Sequence, residues 1–300
     1  MDLISQSDTF LRERDAIIAE KASHAYLIEG EKGIGKFTFA LDLACTFFCT
    51  GENKPCRKCA SCRKVFEFNH PDVHIFEPDR NIFRVDQVRE IISTLYESPY
   101  EGGKKVYIIK EFHKANPAAQ NALLKTLEEP PEPVCFFLLT ENAHAALPTV
   151  RSRCKHIRLM PQKKENIFTE LERRFPQNEK NRFAAEKCGG IIGTAVSLVS
   201  DEEFLRIFNL SDEILKETDK ASPSYPRIAQ IFEKEKSDLL LGLLYRGFAE
   251  KFRQNPTGIN LQRIKAVQDA ADGKTKRFNE GLINERLAYT LAKGGIKWQR

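Results

Sequence analysis

A glycine-rich stretch near the N-terminus carries residues that could bind phosphate. It runs from Gly30 to Lys36 (GEKGIGK), after a short apolar run, Ala25–Ile28, and before a helical pattern. This order fits the G-x-x-x-x-G-K phosphate loop, which lies between a strand and a helix. The glycines let backbone N–H groups and the helix N-terminus face a phosphate, and the lysine would reach the terminal phosphates. The residues of this predicted site are Gly30, Gly33, Gly35 and Lys36.

The residue after the loop lysine departs from the motif. A working site has Ser or Thr at this position to hold Mg²⁺, whereas this chain has Phe37. Thr38 is one residue further on, rotated by about 100° around the helix, and cannot replace the missing hydroxyl. The sequence leaves open whether ATP still binds. A glycine turn that packs a helix against a strand is the alternative interpretation.

Four closely spaced cysteines could bind a metal ion. The pattern Cys49-x6-Cys56-x2-Cys59-x2-Cys62 suits four thiolates around tetrahedral Zn²⁺. Because the protein would fill all four positions, we expect structural rather than catalytic zinc. Cys45 lies one helical turn before Cys49 and could compete as the first ligand, and buried or redox-active cysteines are the alternative. The flanking basic residues, which would offset the charge of the centre, are Lys54, Arg57, Lys58, Arg63 and Lys64.

The overall composition is ordinary for a soluble protein of two or three domains. The 300 residues include 47 basic and 42 acidic ones, and the net charge of +5 permits contact with nucleic acid without indicating it. No apolar run approaches the roughly 20 residues that cross a bilayer, and the N-terminus lacks a signal-peptide pattern. We therefore expect a cytoplasmic protein without a membrane partner. In a reducing compartment, eight cysteines indicate metal binding or burial rather than disulfides.

The elements that would position these sites alternate between strands and helices. Val106–Ile109 and Val134–Leu139 are apolar runs typical of buried strands. A helix between them begins at Asn116-Pro117 and ends before Pro130-Pro131. Apolar strands joined by a crossover helix indicate a parallel sheet with helices on both faces. Ligands bind such sheets at the carboxyl ends of the strands. The residues expected at that edge are Lys110, Glu111, Thr140, Arg151 and Arg153.

The segment Asn121–Pro131 (NALLKTLEEPP), with FFLLTEN and TVRSRC after it, resembles the clamp-loader branch of the AAA+ ATPases. The resemblance is strong from Ser23 to Cys154 and weak over the rest of the chain. It implies an α/β AAA+ core with an inserted zinc module, a small helical lid, and an all-α C-terminal collar for oligomerisation. The implied boundaries are 1–160 for the core, 45–65 for the zinc module, 161–200 for the lid and 201–300 for the collar. A helical bundle without a special role is the alternative for the collar, where apolar helical patterns cover 204–215, 239–252 and 283–291.

The resemblance also indicates which parts of ATP hydrolysis are missing. The family's ATPase subunits carry an Asp-Glu pair after the strand that here ends at Ile109, and this chain has Lys110-Glu111. The Asp would position Mg²⁺, whereas a lysine brings positive charge to that place. Thr194 stands about where those subunits carry an arginine onto the nucleotide. Together with Phe37, these departures predict a chain that does not hydrolyse ATP by itself.

The segment Ser152-Arg153-Cys154 is similar to the motif by which each clamp-loader subunit projects an arginine into its neighbour's ATP site. The resemblance implies that Arg153 acts in trans; a solvated arginine, or one paired with Glu141, is the alternative. The implied partners are the ATPase (gamma/tau) and delta subunits of a DNA polymerase III clamp loader, the sliding clamp and primer-template DNA. A catalytically active gamma/tau-like ATPase is the second hypothesis. A nucleotide kinase is the third, and it would not account for the four cysteines.

Overall fold

The computed structural model describes residues 7–79, 81–101, 103–131, 133–276 and 278–293. The chain divides into two compact units, Met1–Val196 and Ser197–Arg300. Within the described ranges, every helix is too short or too polar to cross a membrane.

One five-stranded sheet forms the centre of the first unit. Its strands are β1 (Ala25–Glu29), β2 (Val73–Phe76), β3 (Lys105–Ile109), β4 (Val134–Thr140) and β5 (Lys155–Arg158). They lie in the order β2-β3-β4-β1-β5, and every neighbouring pair is parallel. The two predicted apolar strands are confirmed as β3 and β4, in which every residue is buried. Because all strands run in one direction, their carboxyl ends share one edge of the sheet.

Helices cover both faces of this sheet, as predicted. In chain order, the helices as far as residue 200 are α1 (Asp8–Ile18), α2 (Lys36–Phe48), α3 (Ala60–Phe66), α4 (Val85–Leu95), α5 (Pro117–Glu128), α6 (Pro148–Arg151), α7 (Lys164–Arg174), α8 (Lys180–Lys187) and α9 (Ile192–Ser200), of which α1 to α6 cover the sheet. Successive strand residues point to opposite faces. Ile28 and Ile108 therefore pack with α1, α2 and α3, whereas Leu27 and Ile109 pack with α4, α5 and α6.

The helix predicted between the two apolar strands is α5, and its start has the expected cap. The Asn116 side chain accepts a hydrogen bond from Ala119 N at 2.8 Å, and Pro117 lies in the first turn. Proline costs little there because the first N–H groups of a helix have no intrahelical partner. The helix ends at Glu128, two residues before Pro130.

Arg151, the last residue of α6, and Arg153, which follows that helix, lie at the opposite edge of the sheet from the predicted one. β5 begins at Lys155, which pairs beside Tyr26 near the start of β1. Arg151 and Arg153, which precede β5, therefore lie at the amino edge, and the prediction that they share an edge with Lys110 is wrong. The chain must return across the sheet before it can enter another parallel strand, and this return carries both arginines away from the carboxyl edge.

The described part of the second unit beyond α9 is helical. Its helices are α10 (Glu202–Glu217), α11 (Tyr225–Lys234), α12 (Asp238–Gln254), α13 (Gly258–Thr275) and α14 (Glu280–Lys293). The three apolar helical patterns lie in α10, α12 and α14, whereas the sequence pattern did not separate α11 and α13. A core of buried aliphatic and aromatic side chains, with Leu244, Phe248 and Leu291 among them, joins these helices.

Candidate functional site

The phosphate loop at Gly30–Lys36 lies between β1 and α2, as its motif requires. Gly33 and Gly35 have φ angles of 81° and 103°, in the left-handed region that favours glycine. Lys36 Nζ donates to the carbonyl oxygen of Gly30 at 2.7 Å and to the next carbonyl oxygen at 2.9 Å. The loop is thus closed by its own lysine, whose ammonium is bonded to backbone acceptors that a phosphate could replace.

A cavity of about 480 Å³ opens beside this loop at the carboxyl edge of the sheet. The charged side chains that line it, among the described residues, are Lys32, Lys36, Lys110, Arg174, Glu111 and Glu141. Four cationic groups against two carboxylates give the cavity a positive balance, which favours an anion. His113 also lines the cavity. Burial lowers the pKa of this imidazole, so it is neutral at neutral pH and leaves the balance unchanged.

Phe37, which follows the loop lysine, and Lys110, which follows β3, contact each other. Lys110 follows β3 directly, and its Nζ lies 3.9 Å from the centre of the Phe37 ring. The same Nζ forms an ion pair with Glu77, which follows β2. Phe37 also packs on Phe68, with ring centres 5.7 Å apart. An ammonium–aromatic contact therefore joins the two sequence positions from which a working site would hold Mg²⁺.

The start of α9 packs directly on the phosphate loop. Gly193 N donates to Gly33 O at 2.8 Å, and a Cβ added to Gly193 would lie only 2.8 Å from that oxygen. Thr194, which the resemblance predicts to stand about where an ATPase subunit carries arginine, follows in the same helix and brings no positive charge. Arg174, at the end of α7, lines the cavity instead. Its Nε donates to Glu170 at 2.6 Å, so part of its charge is neutralised within the same helix.

Cys49, Cys56, Cys59 and Cys62 lie together, with their sulfur atoms all within 4.8 Å of one another. Cys49 follows the last residue of α2, and Cys59 caps the start of α3. The N–H groups of Gly51 and Cys56 donate to Cys49 Sγ at 3.4 and 3.2 Å, and Cys59 N donates to Cys56 Sγ at 3.3 Å. Such donors stabilise thiolates, the form in which cysteine binds a metal. The cluster is consistent with a four-thiolate zinc site.

Cys45 lies outside this group of sulfur atoms. Its Sγ donates to Cys62 O at 3.8 Å, and burial raises the pKa of the thiol to about 12. Burial alone would also raise the pKa of Cys59, but N–H donors from Cys62 and Thr50 lower it to about 6. The thiol pKa does not separate the two candidates, because burial also raises the pKa of Cys49 and Cys62. The positions of the sulfur atoms do separate them, since only Cys49 lies within 4.8 Å of the other three. This geometry favours Cys49 over Cys45 as the first ligand.

Arg57 bonds the cysteine cluster to the helix that begins at the phosphate loop. It lies between Cys56 and Cys59, and its Nε and Nη2 donate to the two carboxylate oxygens of Asp42 at 3.0 and 2.5 Å. Asp42 lies in α2 and is fully buried. A two-point contact of this kind is stronger and more directional than a single hydrogen bond. The cysteine segment and α2 are therefore held in one arrangement.

Arg153 lies at the amino edge of the sheet with its side chain 32% exposed. Its guanidinium forms an ion pair with Glu128 at the end of α5, and Nη1 donates to Thr149 O at 2.8 Å. The carboxylate that pairs with it is therefore Glu128 and not Glu141, which follows β4 at the other edge. Arg153 thus lies remote from the phosphate loop of its own chain, with its guanidinium oriented and partly accessible.

Three residues of the cavity region, Glu77, His113 and Arg174, were not predicted from the sequence. Glu77 and His113 follow β2 and β3 closely, so a search of every strand end for charged residues could have found them. No local pattern marks Arg174, because its place in the cavity lining depends on the tertiary position of the end of α7.

The fold and the loop define the class of protein. A parallel sheet with helices on both faces, and a phosphate loop between its first strand and a helix, is an α/β phosphate-loop architecture. A gamma subunit-related protein from Thermotoga maritima has a similar fold, with a TM-score of 0.55, 20% identity, and coverage of 95% of this chain and 99% of that one. This similarity concerns the fold alone.

A family described as DNA polymerase III, delta subunit, matches residues 6–163, and the chain belongs to this family of clamp-loader subunits. The delta-prime subunit of Bacillus subtilis is 34% identical over 191 residues, 63% of this chain and 58% of the relative. The delta-prime subunit of Escherichia coli is 33% identical over 191 residues, with coverage of 62% and 57%. A gamma subunit of Buchnera aphidicola is 37% identical over 155 residues, with coverage of 51% and 42%. The chain spans about half the length of the curated relatives it matches.

Proposed function

We propose that this chain is a delta-prime-like subunit of a DNA polymerase III clamp loader that does not hydrolyse ATP itself. It would help to load the sliding clamp on primed DNA during replication. The observation that carries the non-hydrolysing role is the contact between Lys110 Nζ and the Phe37 ring. Phosphoryl transfer by a phosphate-loop enzyme needs a hydroxyl and a carboxylate to hold Mg²⁺ on the phosphates. A phenyl ring and an ammonium offer neither, so the metal has no ligands at these two positions.

Arg153 is the residue that this subunit would contribute to the chemistry. Strands of four to seven residues make the sheet about 13–23 Å long between its edges. A side chain at the amino edge therefore does not reach the phosphate loop of its own chain, which supports action in trans. In a neighbour's ATP site, the guanidinium would neutralise charge on the transferring phosphoryl oxygens, a role typically worth about 10³–10⁵ in rate. The ion pair with Glu128 orients the side chain before docking.

The zinc centre at Cys49, Cys56, Cys59 and Cys62 has a structural role in this proposal. Four thiolates fill the tetrahedral positions of Zn²⁺ and leave none for a substrate. Zinc would fix the module at 45–65 against α2, in the arrangement that the Arg57–Asp42 pair also supports.

The remaining parts of the proposal concern assembly. Residues 1–160 would form the AAA+ core, 161–200 a helical lid and 201–300 a collar that oligomerises, which the helical second unit supports. The partners would be gamma/tau-type ATPase subunits, the delta subunit, the sliding clamp and, through the complex, primer-template DNA. Relatives named gamma and tau subunits support the ATPase partners. We expect the protein to act in the cytoplasm with the replication machinery.

A catalytically active gamma/tau-like ATPase is the second candidate function. The gamma relative at 37% identity favours it, as do the retained Lys36 and the Glu111 that follows β3. Phe37 and Lys110 weigh against it because both magnesium ligands are missing.

Reconstitution tests the proposal. The purified chain is mixed with its cognate gamma/tau and delta subunits, and ring assembly is measured by native mass spectrometry. We expect the chain to enter the ring and, when isolated, to show no ATP hydrolysis above background. Steady turnover of about 1 s⁻¹ or faster, abolished by Lys36→Ala, would instead establish the active ATPase. A chain that stays monomeric with all partners present would refute membership of the complex.

A further inference from the structure

Phe37, the departure at the end of the phosphate loop, and Lys110, the departure at the end of β3, form one structural unit rather than two separate losses. The Lys110 ammonium lies 3.9 Å from the centre of the Phe37 ring and pairs with Glu77 from the neighbouring strand end. Phe68 packs on the same ring. The ammonium is therefore held by an aromatic face and by a carboxylate, beside the cavity that the loop lines.

We propose that Lys110 is a built-in replacement for the divalent cation, so that the cavity binds the polyphosphate of a metal-free nucleotide. The inference goes beyond the proposed function, which requires only that the chain does not hydrolyse ATP. It also holds for a chain that acts outside a clamp loader, because it rests on the cavity alone.

The charges of the cavity suit an anion that carries no metal. A nucleoside triphosphate without Mg²⁺ has a charge of about −4, and the lining offers four cationic side chains against two carboxylates. Ion pairs reduce the charge on both sides: Glu111 is paired with Lys114, Lys110 with Glu77 and Arg174 with Glu170. Lys32 and Lys36 against Glu141 still leave a positive balance. The metal-bound nucleotide has two fewer negative charges and would bring a divalent cation towards the Lys110 ammonium. Like charges repel, and neither Phe37 nor Lys110 offers the cation an oxygen ligand. Glu111, His113 and Glu141 do lie within 4.8 Å of one another on the same lining, so the comparison of binding with and without Mg²⁺ decides which form of the nucleotide the cavity prefers.

The loop has the groups that a polyphosphate needs on its other side. Gly33 and Gly35 hold the backbone in the left-handed conformation that leads into α2, a helix of 13 residues. The N-terminus of such a helix presents unpaired N–H groups and a partial positive charge to an anion. Lys36 Nζ is bonded only to carbonyl oxygens within the loop in the contacts that the structure shows. Phosphate oxygens could replace these acceptors without leaving a buried charge behind.

Nucleotide titrations of the full-length chain test the inference directly. ATP is titrated by isothermal calorimetry in buffer with EDTA and, in parallel, in buffer with excess Mg²⁺. We expect a dissociation constant in EDTA that is equal to or lower than the one in Mg²⁺. Binding that weakens tenfold or more on removal of the metal would overturn the inference. So would the absence of binding at about 1 mM ATP under both conditions, which would mean that Lys110 and Phe37 only fill the site.

Substitutions test whether the Lys110 ammonium is responsible for the binding of metal-free ATP. Lys110→Met should weaken metal-free binding by roughly tenfold, the size expected for a lost hydrogen bond to a charged group. Lys104→Met, the same change at an exposed position on the other edge of the sheet, should leave binding within about twofold. The double variant Phe37→Thr with Lys110→Asp should reverse the preference, so that binding requires Mg²⁺. Equal affinities for the wild type and Lys110→Met in EDTA would refute the role of this lysine.

The same measurements keep this inference separate from the proposed function. A chain that joins the clamp loader but binds no metal-free ATP would remove the inference and leave the function intact. A chain that binds metal-free ATP but joins no loader would do the opposite.

Discussion

Replacing Arg57 by alanine would remove the guanidinium that neutralises the buried carboxylate of Asp42. The pair has two short contacts, at 3.0 and 2.5 Å, and the Asp42 side chain is 0% exposed whereas Arg57 is 23% exposed. Loss of one partner of a fully buried pair costs about 3–5 kcal/mol. Because Arg57 is partly exposed and water can enter its place, we expect the lower end, about 3 kcal/mol.

This loss should be visible as a shift in the melting temperature. For a folding unit of 150–250 residues, 1 kcal/mol corresponds to about 2–4 °C, so Arg57→Ala should lower the Tm by about 6–12 °C. The control is the double variant with Asp42→Asn, in which the carboxylate is neutral and the coupling between the two sites can be measured. We expect the double variant to be more stable than Arg57→Ala alone.

Differential scanning calorimetry with saturating zinc supplies the measurement. The zinc concentration must be kept constant, because a metal ion bound at the cysteine cluster would add its own binding energy to stability. A shift below about 2 °C for Arg57→Ala would show that the pair is solvated and adds little, as exposed ion pairs do. The reasoning about its role between the cysteine cluster and α2 would then be refuted.

Three further predictions concern the remaining sites. The purified protein should contain one zinc ion per chain by elemental analysis. Cys56→Ser should lose the zinc and lower stability, whereas Cys45→Ser should keep it. Protein that is free of zinc although it was prepared without chelator would exclude the site. In a reconstituted loader, Arg153→Ala should preserve assembly but reduce clamp-stimulated ATP hydrolysis at one neighbouring site by about 10³-fold or more. Arg151→Ala, which removes a bond to a histidine on the surface, should do less, and normal clamp loading by Arg153→Ala would disprove the trans role. Gly193→Ala should lower the free energy of unfolding in urea by about 1–3 kcal/mol, because the alanine Cβ would lie 2.8 Å from the carbonyl oxygen of Gly33. An unchanged urea midpoint would show that the backbone moves aside freely.

The sequence by itself determined the features that depend on neighbouring residues. The phosphate loop is recognisable because its glycines, its lysine and the flanking strand and helix are adjacent in the chain. The start of α5 follows from Asn116 and Pro117, since a cap acts on the next three residues. The cysteine pattern likewise has its four candidate ligands within fourteen positions, Cys49 to Cys62, and the structure brings their sulfur atoms together. In each case, the interactions that matter are local, so spacing alone specifies them.

Only the tertiary structure decided how distant segments meet. The sequence identified Phe37 and Lys110 as departures from the pattern of an ATPase. Their contact arises because β3 ends, and α2 begins, at the same edge of the sheet. The edge occupied by Arg153 was predicted wrongly, because its position depends on how the chain returns from β4 to β5. Its partner Glu128 could not be identified either, since α5 must first pack across the sheet. Strand order and parallel register, which no local pattern encodes, determine which of these side chains share an edge.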